Sequence, residues 1–215
     1  MTPDGHWLND WLLERKTRRF AGVCHGDLLD VGCGDRRYEQ LLAPHVTSYV
    51  GMEYPGTAAR PDLVDVWGDA AELPFPDASF DTVVSFMVLE HLPDPQKAMR
   101  EARRVLRPGG TYLISVPFIW GLHNTPYDFY RYTEFALAHM FEQTGFADVH
   151  VEPFCGYWAI GSIRLAAFFD RASRHRAAPL VALTELGGAV AERCWRDYTD
   201  PGGYFAVARR GPDAA

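Results

Sequence analysis

Hydrophobic and polar positions recur along this chain in two rhythms. Trp7, Leu8, Trp11, Leu12 and Leu13 fall at helical spacing and are followed by the basic group Arg15, Lys16, Arg18 and Arg19, which predicts an amphipathic helix ahead of the main body. Short β-type runs then alternate with helical ones. Strands are expected at 27–32, 48–53, 62–67, 80–86, 111–116, 149–153 and 204–208, and helices near 38–42, 95–106 and 134–144 and across much of 158–196. Such alternation predicts an α/β fold, a mostly parallel sheet covered by helices on both faces. Two turns fix its register. Arg107-Pro108-Gly109-Gly110 stops one helix and launches the strand TYLISV, and Gly145 ends the next helix in the same way. The tail after Arg209 reads as disordered.

The 215 residues fit one domain, divided into an N-terminal helix (1–24), a core (25–155), a helical lid or interface segment (156–200) and a last strand with its tail (201–215). Twenty-one basic residues against 28 acidic ones leave a net charge of −7, which disfavours a nucleic-acid substrate. Cys24, Cys33, Cys155 and Cys194 are widely spaced without a CxxC pair, which argues for a reducing compartment and against a disulfide frame or a zinc site; no metal is expected. The N-terminus lacks the pattern of a secretion signal, and the apolar segment 177–191 is interrupted by Pro179, Glu185, Gly187 and Gly188, so a cytoplasmic protein is expected.

The densest chemistry lies at 28–42, LLDVGCGDRRYEQLL. An apolar run closes on Asp30, the turn Gly32-Cys33-Gly34 follows, and an acid, Glu53, ends the next strand. Glycines at 32 and 34 let the backbone bend and come close to a ligand. A carboxylate at 53 accepts both donors of a ribose diol, so the site is expected to hold an adenosine-type ligand.

LLDVGCG at 28–34, VGMEY at 50–54, GDAAELPFPDASFDTVVSFMVLEHLPDP at 68–95 and REARRVLRPGGTYLISVPF at 100–118 together resemble the class I S-adenosylmethionine-dependent methyltransferases, in the small-molecule branch known as type 11. The resemblance implies a Rossmann-like seven-stranded sheet with the last strand antiparallel, for which 204–208 is the candidate, and S-adenosyl-L-methionine as cofactor. It assigns Asp30 to the methionyl ammonium or to the turn, Gly32, Cys33 and Gly34 to the methionyl side, Glu53 to the ribose, Asp69 and Ala70 to the adenine, and Phe86 and Met87 to the cofactor side of the cleft. Where many relatives carry a third glycine, this chain continues with Asp35, Arg36 and Arg37. That obstructs a dinucleotide pyrophosphate and weighs against a nicotinamide-dependent oxidoreductase. The stretch 123–146 is similar to a subgroup associated with sugar, polysaccharide and lipid-linked glycan pathways.

Methyl transfer is an in-line displacement on an activated carbon, so positioning supplies most of the acceleration, and a general base is needed only for an acceptor that must lose a proton. His91, His123 and Asp128 are the candidate bases, expected at the carboxyl edge of the sheet. Tyr127, Tyr130, Arg131 and Tyr132 complete a polar and aromatic cluster read as contacting substrate. Its structural alternative is a loop fastened by an Asp128–Arg131 ion pair and capped by Thr133. Asp81 reads as structural. The strand end SFMVLEHL lacks the Asn- or Asp-Pro-Pro-aromatic signature of methyltransferases acting on nucleic-acid amines. The apolar and basic residues of 156–197, including Arg171, Arg174, His175 and Arg176, read as a lid or a homodimer contact, with peripheral membrane association as the alternative. Trp7 and Trp11 are expected to pack over the cofactor. The reading is methyl transfer to a small-molecule, lipid-linked or carrier-linked acceptor, favouring oxygen of a sugar or other secondary metabolite. Its rival is a subunit that binds cofactor but serves regulation or partner binding.

Overall fold

A computed structural model describes residues 7–174 and 176–211. His175 and the tail beyond 211 lie outside the described residues, as does the segment read for a secretion signal up to residue 6.

Seven strands form one sheet in the order β3-β2-β1-β4-β5-β7-β6, comprising β1 (Asp27–Val31), β2 (Ser48–Glu53), β3 (Val66–Trp67), β4 (Phe80–Phe86), β5 (Leu106–Pro117), β6 (Phe146–Phe154) and β7 (Gly203–Arg210). β7 runs antiparallel between β5 and β6, while the pairs among the first five strands are parallel. The expected fold class, with its antiparallel last strand, is the one observed.

Period-two alternation sends neighbouring side chains to opposite faces. Leu29, Val31, Val83 and Ile114 face α3 (Pro95–Val105) and α4 (Glu134–Gln143), where Met99, Ala102, Leu137 and Phe141 meet them. Leu28, Val84, Leu113 and Phe205 face α1 (Trp7–Phe20), α2 (Glu39–Leu42) and α5 (Tyr157–Ala172) through Leu8, Leu12, Leu42, Ile160 and Ile163. α6 (Ala178–Cys194) packs outside α5, and its Glu185 accepts a hydrogen bond from the Leu8 amide at the start of α1.

Several expectations change. The strand expected at 62–67 shrinks to two residues because Pro61–Leu63 forms a 3-10 turn and the Asp65 carboxylate takes the Gly51 amide. The helical stretch 158–196 is two helices. The Ser173 hydroxyl accepts from the Ala177 amide and closes the break, and Pro179 stands in the first turn of the second helix. Residue 210 is not part of a loose tail. Arg210 closes β7 as a buried side chain donating to the carbonyls of Arg103, Arg104 and Leu106. Trp7 and Trp11 are exposed on α1, whose buried stripe is Leu8, Leu12 and Leu13. Asp81 is structural as expected: at the edge of the sheet opposite the glycine turn, it accepts from the Asp27 amide and pairs with Arg107. The four cysteines are free, and among the described residues no helix is long and apolar enough to cross a membrane.

α1 is fastened to β6 by Glu152, which receives Lys16 at 2.6 Å and Arg19 at 2.9 Å. Burial alone raises this carboxyl, but the Lys16 and His150 hydrogen bonds and the two cations outweigh it and bring it down to about 2. A depressed carboxylate stabilises the fold above its ordinary pKa and loses that contribution as pH falls toward 2. Glu152→Gln is therefore expected to cost about 2 kcal/mol at pH 7, a melting temperature lower by roughly 4 to 8 °C, with the gap to the parent protein narrowed by about half at pH 3 and closed only below pH 2. Thermal melts at the two pH values check it, and an equal gap at both would contradict it.

Candidate active site

Four strand ends converge at the carboxyl edge of the sheet. After β1 the chain turns through Gly32 (φ +78°) and Gly34 (φ +51°), left-handed conformations that a side chain resists. The turn is pinned to β2, since the Gly32 and Cys33 amides both donate to the Met52 carbonyl, at 2.8 and 3.0 Å. Glu53 faces the turn as the sequence implies. Its Oε2 accepts from the Gly34 amide and its Oε1 from the Tyr54 amide, each at 2.8 Å. Each carboxylate oxygen can accept a second donor, so a diol does not have to displace these bonds.

The two glycines are not equivalent. A Cβ on Gly32 would stand 2.3 Å from Val88 Cγ2, in the loop after β4, whereas a Cβ on Gly34 would meet nothing within 4 Å. Gly32→Ala is expected to destabilise the protein, by about 1 to 2 kcal/mol for the left-handed backbone with the displaced Val88 in addition. Gly34→Ala carries the same backbone cost without the Val88 clash, so it should lower the melting temperature less than Gly32→Ala and weaken S-adenosylhomocysteine binding more. Thermal melts and calorimetric titration of both variants test this; the same ranking in both measurements would contradict it.

Asp30 is buried behind the turn, where Tyr49 donates its hydroxyl at 2.5 Å. Burial pushes its carboxyl up to about 7, the Tyr49 bond pulls it back, and nearby Glu53 adds to the rise. Burial likewise pushes the Cys33 thiol up to about 12, so Cys33 fills space as a neutral thiol. The arginines that replace the third glycine have work of their own. Arg36 stacks on Tyr49, pairs with Asp65 and donates to the Leu63 carbonyl, and Arg37 pairs with Asp10 of α1. Together they tie the turn to the loop before β3 and to the first helix.

Asp69 spends one oxygen on its own turn, accepting from the Ala71 amide at 2.8 Å, which leaves the other for an adenine amino group; Ala70 beside it is buried. Phe86 is buried, edge-on to Tyr38 and against Phe205. Met87 follows it at φ +55° and redirects the chain.

That redirection carries His91 to the loop after β5. His91 and His123 meet edge to face, ring centres 4.8 Å apart. The His91 Nδ1 lies 2.6 Å from the Tyr127 carbonyl, which fixes Nδ1 as the protonated nitrogen and leaves Nε2 with its lone pair. Burial lowers its pKa, and proximity to His123 adds to this against the Tyr127 bond.

The remaining loop residues fasten that pair. Asp128, its side chain 1% exposed, takes both guanidinium nitrogens of Arg131 at 2.6 and 2.8 Å, and accepts from the His123 amide at 2.9 Å. The Arg131 hydrogen bond holds Asp128 far below the usual carboxylate range despite its burial. An acid so committed is a poor proton acceptor, which argues against its expected role as a base and for a role in positioning His123. Arg131 also donates to the carbonyls of Gly121 and Trp120, and Tyr132 buries its ring and donates to the Leu89 carbonyl. Both therefore hold the loop. Tyr130 donates to the Pro93 carbonyl, while Tyr127 is exposed. Thr133 caps α4 by accepting from the Ala136 amide.

Sequence reasoning overlooked Glu90. It sits between an apolar residue and His91 with its side chain 0% exposed, and neither oxygen has a hydrogen-bond partner. Burial raises its carboxyl to about 8. The only trace in the sequence is an acid inside the short apolar run VLEHL.

A glycine turn after β1, an acid closing β2 and a seven-stranded sheet with β7 reversed define a class I methyltransferase fold. A family model described as a methyltransferase domain matches residues 29–114. A "probable S-adenosylmethionine-dependent methyltransferase" of Mycolicibacterium smegmatis is 34% identical over 189 residues, covering 83% of this chain and 70% of the relative. The 27-O-demethylrifamycin SV methyltransferase of Amycolatopsis mediterranei is 37% identical over 113 residues, 45% of this chain and 42% of that protein. Among solved structures, the methyltransferase in the Haloferax volcanii Trm112 activator complex aligns with a TM-score of 0.62 at 20% identity, covering 97% of this chain and 92% of that one, a likeness of fold. The chain belongs to the S-adenosylmethionine-dependent methyltransferases, and S-adenosyl-L-methionine is its cofactor.

Proposed function

We propose that the protein transfers the cofactor methyl group to an oxygen of a small-molecule or carrier-linked acceptor, with a sugar or other secondary metabolite as the favoured class. The observation that supports this reading is the imidazole pair His91–His123 in the loops after β4 and β5, at the same carboxyl edge as the glycine turn, with Val88 of the first loop against Gly32. The cofactor's methionyl end belongs beside that turn, so the methyl donor and a neutral imidazole share one side of the cleft. A hydroxyl must lose its proton as the bond to carbon forms, and an imidazole with a lowered pKa is suited to receive it near pH 7. The oxygen lone pair then displaces the sulfur, and S-adenosylhomocysteine leaves uncharged at sulfur. A carboxylate acceptor would need no base, which leaves two aligned histidines without a purpose.

A groove of about 580 Å³ between α5 and α6 begins at Ile119, two residues before the Gly121 carbonyl that accepts from Arg131, and is lined by Tyr157, Trp158, Ile160 and Leu165. Its apolar walls suit the hydrocarbon part of a lipid- or carrier-linked acceptor. The oxygen named in the Amycolatopsis relative's own reaction agrees with this chemistry.

The test is turnover with labelled S-adenosylmethionine against a panel of hydroxylated, carboxylated and amine acceptors. Label transfer to hydroxyl compounds, lost more than tenfold in His91→Ala or His123→Ala, is expected. Transfer confined to amines or carboxylates would overturn the reading.

A further inference from the structure

Three side chains at this edge point to one place. Glu90 Oε1 lies 3.8 Å from His91 Nε2 and 3.9 Å from His123 Nε2, and one donor atom from each of the three falls within 4.8 Å of the others. Nitrogen and oxygen donors sit roughly 2.0 to 2.2 Å from a transition-metal ion, which sets neighbouring donors about 3 to 3.5 Å apart. The observed spacing reaches that range with small side-chain rotations.

Two features separate this cluster from a chance meeting of polar groups. Glu90 is fully buried without a hydrogen-bond partner for either oxygen, which is costly for a carboxyl group unless a ligand or ion completes it. Both histidines have their far nitrogens engaged. His91 Nδ1 is held by the Tyr127 carbonyl at 2.6 Å, while His123 Nδ1 lies 3.2 Å from the Gly121 carbonyl and 3.5 Å from Asp128 Oδ2. Protonated Nδ1 atoms bonded to backbone carbonyls leave both Nε2 lone pairs directed toward Glu90, which is the way protein ligands to metals are oriented. Asn124, at φ +49°, brings its side-chain amide to 3.4 Å from His91 Nε2, and turning that amide over would present its oxygen as a fourth donor.

We infer that Glu90, His91 and His123 form a divalent-cation site that binds the acceptor's hydroxyl oxygen beside the cofactor. Two imidazoles and one carboxylate are donors of intermediate softness, suited to Zn²⁺, Fe²⁺, Co²⁺ or Mn²⁺. The inference rests on the methyl transfer to oxygen proposed above. With both imidazoles committed to the cation, they no longer serve as the base: the cation would acidify the bound hydroxyl, and its proton would pass to solvent instead of to His91 or His123. The oxygen's electron pair then forms the bond to the methyl carbon, and the electrons of the broken carbon–sulfur bond remain on sulfur. Arg131 and Asp128 become the outer layer that aims His123. The widely spaced cysteines, which argue against a zinc site of their own, have no bearing on these residues.

The experiment is to strip the full-length protein with a chelator, confirm that it still binds S-adenosylhomocysteine, and titrate it with Co²⁺ and Zn²⁺ by visible absorption and calorimetry. One equivalent is expected to bind, with Co²⁺ giving visible bands of a nitrogen- and oxygen-ligated site. Glu90→Gln and His123→Gln should each weaken cation binding at least tenfold while leaving S-adenosylhomocysteine affinity within twofold. Stripped protein that binds S-adenosylhomocysteine but takes up neither cation would overturn the site, as would cation binding unchanged in both variants. His123 lies at the surface, so its variant reports even if replacing buried Glu90 prevents folding. Cation binding without label transfer to any hydroxyl compound would retain the site and fault the proposed acceptor.

Discussion

Glu53→Ala is expected to weaken S-adenosylhomocysteine binding by about a hundredfold or more. Each charge-assisted hydrogen bond from a ribose hydroxyl is worth about 1.5 to 3 kcal/mol, and every 1.4 kcal/mol is a factor of ten in affinity. The carboxylate also holds the Gly34 and Tyr54 amides, so its removal frees the turn that faces the ligand as well as deleting two acceptors. Glu53→Gln, which keeps one acceptor oxygen, should fall between the parent protein and the alanine variant. Calorimetric titration decides the matter, and unchanged affinity in Glu53→Ala would remove this residue from the cofactor site.

The second large effect is expected at Asp128. Its replacement by alanine leaves Arg131 without its bidentate partner and the His123 amide without its acceptor. Turnover should drop about ten- to a hundredfold, as when a group that orients a functional histidine is lost, with the loss in kcat rather than KM. Affinity for S-adenosylhomocysteine should stay within twofold, because Asp128 touches neither the glycine turn nor Glu53. Asp128→Asn, which can still accept from the His123 amide, should recover part of the lost rate. A variant whose cofactor affinity falls in step with its turnover would show that Asp128 only supports the fold.

The two effects differ in how far the sequence foretells them. Glu53 and the glycine turn are close in sequence and joined by adjacent parallel strands, so hydrophobic pattern and glycine placement suffice to put them together. The same is true of Thr133, whose capping role depends on residues three apart. The loop after β5 is different. Its tyrosines and arginine look alike in sequence, yet Tyr132 is buried with its hydroxyl on Leu89 and Tyr127 is exposed, a division set by how the loop closes over the segment 89–93. Glu90 escapes notice because its meaning lies in an unmet carboxyl group, and an orphaned buried oxygen has no sequence signature. Arg36 and Arg37 are visible as a departure from a glycine-rich turn, but that they bind the turn to Asp65 and Asp10 depends on chain segments brought near by folding. Strand β3 is overestimated because alternating residues at 62–67 resemble a strand while Asp65 is drawn to the Gly51 amide.

Apart from cofactor affinity and turnover, methyl transfer here requires that donor and acceptor meet at one edge, with the sulfur end of the cofactor at the glycine turn and within reach of the histidine pair. A crystal structure of the protein with S-adenosylhomocysteine measures this directly. Both ribose hydroxyls are expected about 3 Å from the Glu53 carboxylate, with the sulfur turned toward His91 and His123. A nucleoside bound away from Glu53, or a sulfur facing away from the two imidazoles, would contradict it.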